Sequence, residues 1–159
     1  MTTRARVRHE RGVLDTNTLI LLTRIQDETL LPVEPLITTV TLAELSVGPL
    51  VAKTDEERAA RQSHVQQAES DFDPLPFDVA AARACGRVAL ALRTSGRAVK
   101  PRAYDVMIAA TALANRLPLY TCNPKDFTGI DGLTVVPVPV PTLPGPSGPR
   151  RPRKQRART

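Results

Sequence analysis

At 159 residues the chain is long enough for one ordinary domain with a real core, which aliphatic residues and alanine must build because Trp is absent. No apolar run approaches the roughly 18 residues that span a bilayer. The N-terminal MTTRARVRHERG also lacks the unbroken apolar stretch of about 7–15 residues that a signal peptide carries, so a cytoplasmic protein is expected. The net charge of +6 is matched by the last ten residues alone, RRPRKQRART, with six Arg or Lys and no acid. Without that end and the basic start, the body is slightly acidic. Cys85 and Cys122 have no CxxC spacing, and His9 and His64 fit no zinc pattern, so free thiols are expected and soft-metal chemistry is not.

Residues 1–11 are charged and without apolar periodicity, which predicts a flexible basic arm. Gly12-Val13-Leu14 reads as a first short strand ending at Asp15-Thr16-Asn17. Leu19, Ile20, Leu21, Leu22 and Ile25 then recur as a helical face that Thr16 or Asn17 can cap. The β-branched run Leu36–Thr41 predicts a second, buried strand, with a helix from Leu42 that holds Glu44 in its first turn. Thr54 followed by Glu57 is a capping box for an exposed charged helix to Ser70. Asp73–Phe77 is too rich in proline for a central strand and fits an extended or edge segment. Asp78 caps the next helix, which Ser95-Gly96 ends, and 97–102 connects to a helix over 103–116. Leu117–Thr121 and Leu133–Val136 read as the third and fourth strands. Prolines recur from Pro137 onward, so a domain over 12–137 is followed by a proline-rich basic tail, 138–159. That tail reads either as an electrostatic arm for RNA or DNA or as a solubilising end with no specific partner.

Strands alternating with helices predict an α/β domain around a mostly parallel sheet, whose functional crevice lies beyond the carboxyl ends of the strands. Acids from remote segments should meet there. Asp15 follows the first strand, Glu44 the second, and Asn123 and Asp126 the third, while Asp105 opens the apolar helix that leads into the third. Taken alone, Asp105 reads as a helix cap or a partner of the helix dipole. Taken with Asp15 and Glu44, it reads as part of a cation site, because facing carboxylates repel and raise one another's pKa unless a cation joins them. A hard divalent ion such as Mg²⁺ suits an all-oxygen set and assists phosphodiester hydrolysis. No serine, cysteine or histidine constellation competes.

The segments VLDTN (13–17), TLAEL (41–45), RAYDVMIAATA (102–112) and LYTCNPKDF (119–127), in this order and spacing, resemble the PIN-domain ribonucleases, in particular the VapC-type toxins of bacterial toxin–antitoxin pairs. The resemblance covers about 12–137. It implies a PIN-like three-layer α/β fold, a mostly parallel central sheet flanked by helices. It also implies a metal-dependent endoribonuclease using Mg²⁺, with Mn²⁺ as a substitute. The implied partners are an RNA substrate, a VapB-type antitoxin that brings a helix and a basic side chain near the carboxylates, and a second copy in a homodimer. By position, Asp15 and Asp105 match the primary metal ligands, and Glu44 an acid that acts on the metal or its water. The fourth acidic position is open between Asn123, where some members carry Asp, and Asp126 three residues on. Thr16 and Asn17 match residues that orient Asp15 by hydrogen bonds, or simply cap the helix. The tail is not part of the family pattern. A non-catalytic RNA- or partner-binding module whose acids hold a structural ion is the alternative, and Asn123 is its best support. A phosphoaspartyl enzyme is disfavoured by Asn17, where a second Asp is wanted.

Overall fold

The computed structural model describes residues 7–95 and 102–142. Its centre is a parallel sheet of strands β1 (Arg11–Leu14), β2 (Glu34–Leu36), β3 (Leu119–Thr121) and β4 (Val135–Pro137), in the order β2-β1-β3-β4. Val13 of β1 stands opposite Leu36 on one side and Leu119 on the other, and Leu119 in turn opposite Val135. Around the sheet run α1 (Thr16–Leu21), α2 (Thr39–Leu50), α3 (Asp55–Asp71), α4 (Val79–Thr94) and α5 (Ala103–Ala114). The expected α/β architecture is therefore the observed one.

Alternation along the two central strands divides the core. Val13 and Leu119 point into a cluster with Val88 and Leu92 of α4 and Val106 and Ile108 of α5. Leu14 and Tyr120 point the other way, to Leu31, Cys122 and Val138 with the apolar face of α1. Ile37, Leu45 of α2, and Val65 and Ala68 of α3 form a third cluster. Small residues let α4 and α5 approach closely: Ala81 and Ala84 on one, and Ala109, Ala110 and Ala112 on the other, are buried. Ile108 is fully buried at the centre of α5, and truncating such a side chain to Ala costs about 2–5 kcal/mol. Gly12 has a steric reason to be Gly. A Cβ there would stand 2.5 Å from the Tyr120 ring on the neighbouring strand.

Several local expectations need correcting. The run 36–41 is a strand only at its first residue: β2 is Glu34–Leu36, and α2 starts at Thr39, because the Thr38 hydroxyl accepts the Thr41 N–H and caps the helix despite the β-branched composition. Glu44 consequently lies in the second turn of α2, not the first. The first helix is capped by Asp15 itself, whose carboxylate accepts the Thr18 N–H, rather than by Thr16 or Asn17. The helix expected over 103–116 ends at Ala114, and the third and fourth strands begin two residues later than expected.

The folded part also reaches further at both ends than the sequence implies. Arg8 donates to the Leu31 carbonyl, His9 N–H to the Tyr120 hydroxyl, and Arg11 begins β1, so the C-terminal part of the 1–11 arm is held by the sheet. Val138 is buried and donates to Thr121, so the expected tail is packed at its first residue. Caps from Thr54 and Asp78 form as expected, although Glu57 reaches the N–H of Lys53 rather than that of Thr54. The expected helix stop at Gly96, most of the 97–102 connector and the tail from 143 lie outside the described residues.

Candidate active site

Asp15 leaves the end of β1 with its backbone N–H on the Tyr120 carbonyl, which carries it to the carboxyl edge of the sheet. It is 4% exposed, so both carboxylate oxygens need partners. Oδ1 accepts the Thr18 N–H at 2.9 Å, and Oδ2 accepts the Thr121 hydroxyl at 2.5 Å. The Thr121 oxygen in turn accepts the Asn123 N–H at 2.9 Å, and the Thr18 oxygen accepts the Cys122 N–H at 3.0 Å. Two threonines thus lock Asp15 to the start of the loop after β3. Each carboxylate oxygen retains a lone pair for a ligand.

Glu44 is half-buried on α2 and accepts the Thr16 hydroxyl at 2.7 Å. Thr16 is therefore placed to orient Glu44, not Asp15 as the family pattern implied. Asn17 is exposed and Asp15 makes no bond to it.

Asp105 does not cap α5. The cap position is Arg102, with no side-chain cap bond, and Asp105 sits in the first turn. Burial, then the charges of Glu44 and Asp15, push its carboxyl from 3.8 up to about 6; Arg102 pulls it down and Asp126 adds to the rise. Those four acids, from the junction of β1 and α1, from α2, from α5 and from the 3-10 turn Pro124–Phe127, share one electrostatic neighbourhood. Asp126 and Asn123 are both exposed, and Asn123 precedes the 3-10 turn without a side-chain bond to it. Asp126 belongs to the field around Asp105, whereas Asn123 enters the site through its backbone.

The donor set is wholly oxygen, which fits a hard cation and not a soft one. Among the described residues, no three His, Cys, Asp or Glu side chains stand close enough together to hold an ion as they are. Cys122, next to Asp15's partners, is buried and its thiol is pushed up by burial, which leaves it a protonated bystander at neutral pH. Sequence reasoning missed Thr18 and Thr121. Both lie in or beside the segments that carry the resemblance, but a threonine at a strand end or a helix start gives no sign of a partner 106 residues away.

A parallel sheet in this order, with acids from separate segments at its carboxyl edge, defines a class. The chain belongs to the PIN-domain family, whose pattern matches residues 12–133. Within that family it is of the VapC type. It is similar to Ribonuclease VapC5 of Mycobacterium tuberculosis, 41% identical over 129 residues, covering 80% of this chain and 93% of that relative. It is 34% identical over 97 residues to the tRNA(fMet)-specific endonuclease VapC of Shigella flexneri, covering 61% of this chain and 70% of that relative. Its structure is similar to the crystal structure of VapBC-5, a member of the VapBC family of toxin–antitoxin systems from Mycobacterium tuberculosis. The TM-score is 0.68 at 39% identity, covering 81% of this chain and 99% of that one.

Proposed function

We propose that the chain is a metal-dependent endoribonuclease, the toxin of a VapBC-type pair, that hydrolyses RNA phosphodiester bonds in the cytoplasm until a VapB-type antitoxin blocks it. The observation that carries this reading is the placement of Asp15 after β1, Glu44 on α2 and Asp105 on α5 at the carboxyl edge of one parallel sheet, near enough for the first two to act on the charge of the third. Similarity to relatives named as ribonucleases and to a toxin–antitoxin structure supports the substrate and partner classes.

Asp15, Asp105 and Glu44 would hold Mg²⁺, or Mn²⁺ in its place, with Asp126 as the fourth acid. When bound, such an ion neutralises charge on the phosphodiester and acidifies a water. The rest falls to the chain's own groups. Asp15 is fixed by Thr18 and Thr121 and serves as the immobile reference point of the site. Glu44, steadied by Thr16, is placed to accept a proton from the attacking water. Arg102, beside Asp105, offers a cation to an approaching phosphate. Two copies form the homodimer that the family resemblance implies.

The test is cleavage of RNA by the purified protein with Mg²⁺, with EDTA, and by Asp15→Asn with Mg²⁺. Cleavage only in the first condition is expected. RNA bound in all three and cut in none would instead return the non-catalytic binding module, which Asn123 at the fourth acidic position favours.

A further inference from the structure

Two open depressions of about 440 and 370 Å³ adjoin on the protein surface and share Arg87, Leu113 and Arg116. The first adds Arg83, and the second adds His9, Pro118 and Gly132. His9 precedes β1, Pro118 precedes β3 and Gly132 precedes β4, so the second depression lies at the amino edge of the sheet, opposite the acids. Arg83 and Arg87 are one helical turn apart on α4. All three arginines are exposed, and none takes part in an ion pair among the described residues, although Asp131 is next in sequence to Gly132.

Arg116 carries a second signal. It has φ +54, and it follows the cap residue of α5 with its N–H on the Leu113 carbonyl, while Leu117 N–H bonds the Ala112 carbonyl. That pair of bonds ends a helix with one left-handed residue, a place where glycine is unstrained and arginine is not. A cation at a helix C-terminus offsets part of the strain. What the chain gains besides is a guanidinium beside two others, on a body that is otherwise slightly acidic. Arginine forks match phosphate oxygens, and the lining of the two depressions contains no Phe, Tyr or Trp, while the ring of His9 meets Tyr120 at right angles.

We propose that Arg83, Arg87 and Arg116 form a phosphate-binding exosite that holds the backbone of the RNA strand away from the point of cleavage. The proposal rests on the ribonuclease reading above. Asp105 and Arg116 stand at opposite ends of α5, whose 12 residues span about 18 Å, or about five nucleotides at the ~3.4 Å rise of a stacked strand. Contacts of this kind position the strand without reading its sequence.

The experiment is fluorescence anisotropy of labelled single-stranded RNAs, one shorter and one much longer than that span, with the full chain in EDTA over a range of salt. The double variant Arg87→Gln/Arg116→Gly should bind the long RNA about 10-fold more weakly, and its log K against log salt slope should be shallower by about 1.4, from two phosphates at roughly 0.7 each. Arg83→Gln alone should shift the slope by about half as much, and Arg58→Gln on α3 should leave it unchanged. Arg116→Gly should keep or raise Tm, which separates lost charge from lost folding. Equal affinity and slope in parent and double variant, with the parent binding and cutting RNA, overturn the exosite alone. A parent that binds neither RNA in EDTA overturns the exosite, and one that in addition cuts no RNA with Mg²⁺ overturns the ribonuclease reading with it. If the double variant loses binding to a hexaglutamate peptide but not to RNA, the surface serves an acidic protein and the RNA proposal is overturned.

Discussion

At the head of α5, Asp105 is half-buried among other carboxylates; at its far end Arg116 is exposed among other arginines. Both residues stand where their local surroundings disfavour them, one by charge and burial, the other by backbone conformation. The middle of the same helix is different: Ile108, Ala109, Ala110 and Ala112 are fully buried and locally unstrained. A sequence that accepts strain at both ends of an element and none in its middle is using the ends for something other than stability.

The acidic end is the easier one to break. Asp15→Asn and Asp105→Asn are each expected to lower Mg²⁺-dependent RNA cleavage by about 100-fold or more, since even indirect partners of a metal site are worth about 10–100-fold. Cleavage at parental rates by either variant sinks the cation site. Next in size is Thr121→Val, which keeps the shape of the side chain but removes the hydroxyl between Asp15 Oδ2 and the Asn123 N–H. Cleavage should fall about 10–100-fold, and urea titration should show a stability loss of about 1–3 kcal/mol, chiefly from the orphaned buried oxygen of Asp15.

The pH dependence sharpens the contrast within α5. Asp105 has a folded pKa of about 6 against 3.8 for the ordinary group, so between those values the folded state holds more protons and stability falls as pH rises. Without metal, Asp105→Asn should match the parent near pH 4 and exceed it at pH 8 by about 1 kcal/mol, once screening by the water that still reaches the group is discounted. Adding Mg²⁺ at pH 8 should stabilise the parent and not the variant. A Tm gap between the two that stays constant with pH contradicts this account. An effect of similar size belongs to the basic end: Arg116→Gly should stabilise by about 1 kcal/mol through relief of the left-handed conformation, read as a rise in Tm.

The alternation of strands and helices, the caps at Thr54 and Asp78, and the four segments that bear the acids are all legible in the sequence, because each rests on short-range pattern. Thr38–Thr41 misleads for the same reason: β-branched composition predicts a strand, and one hydroxyl accepting one N–H decides for a helix. Long-range partners are illegible. Nothing in LYTCNPKDF tells which threonine meets Asp15, and nothing in VLDTN shows that Thr16 turns to Glu44. Nor does ANRLP reveal that Arg116 lies in the left-handed region, since Asn115 is the better local candidate.

The Thr121 hydroxyl joins β1, through Asp15, to the turn after β3, at the seam between the two central strands. Opening that seam anywhere near its carboxyl end releases Asp15, and the seam opens only when the core on both faces comes apart. Loss of the fixed carboxylate and global unfolding are therefore one cooperative event, and amides around Asp15 should exchange with solvent hydrogen only at the rate of whole-molecule opening. Asp126, exposed on a 3-10 turn that the buried Phe127 anchors in the core, lies outside that seam.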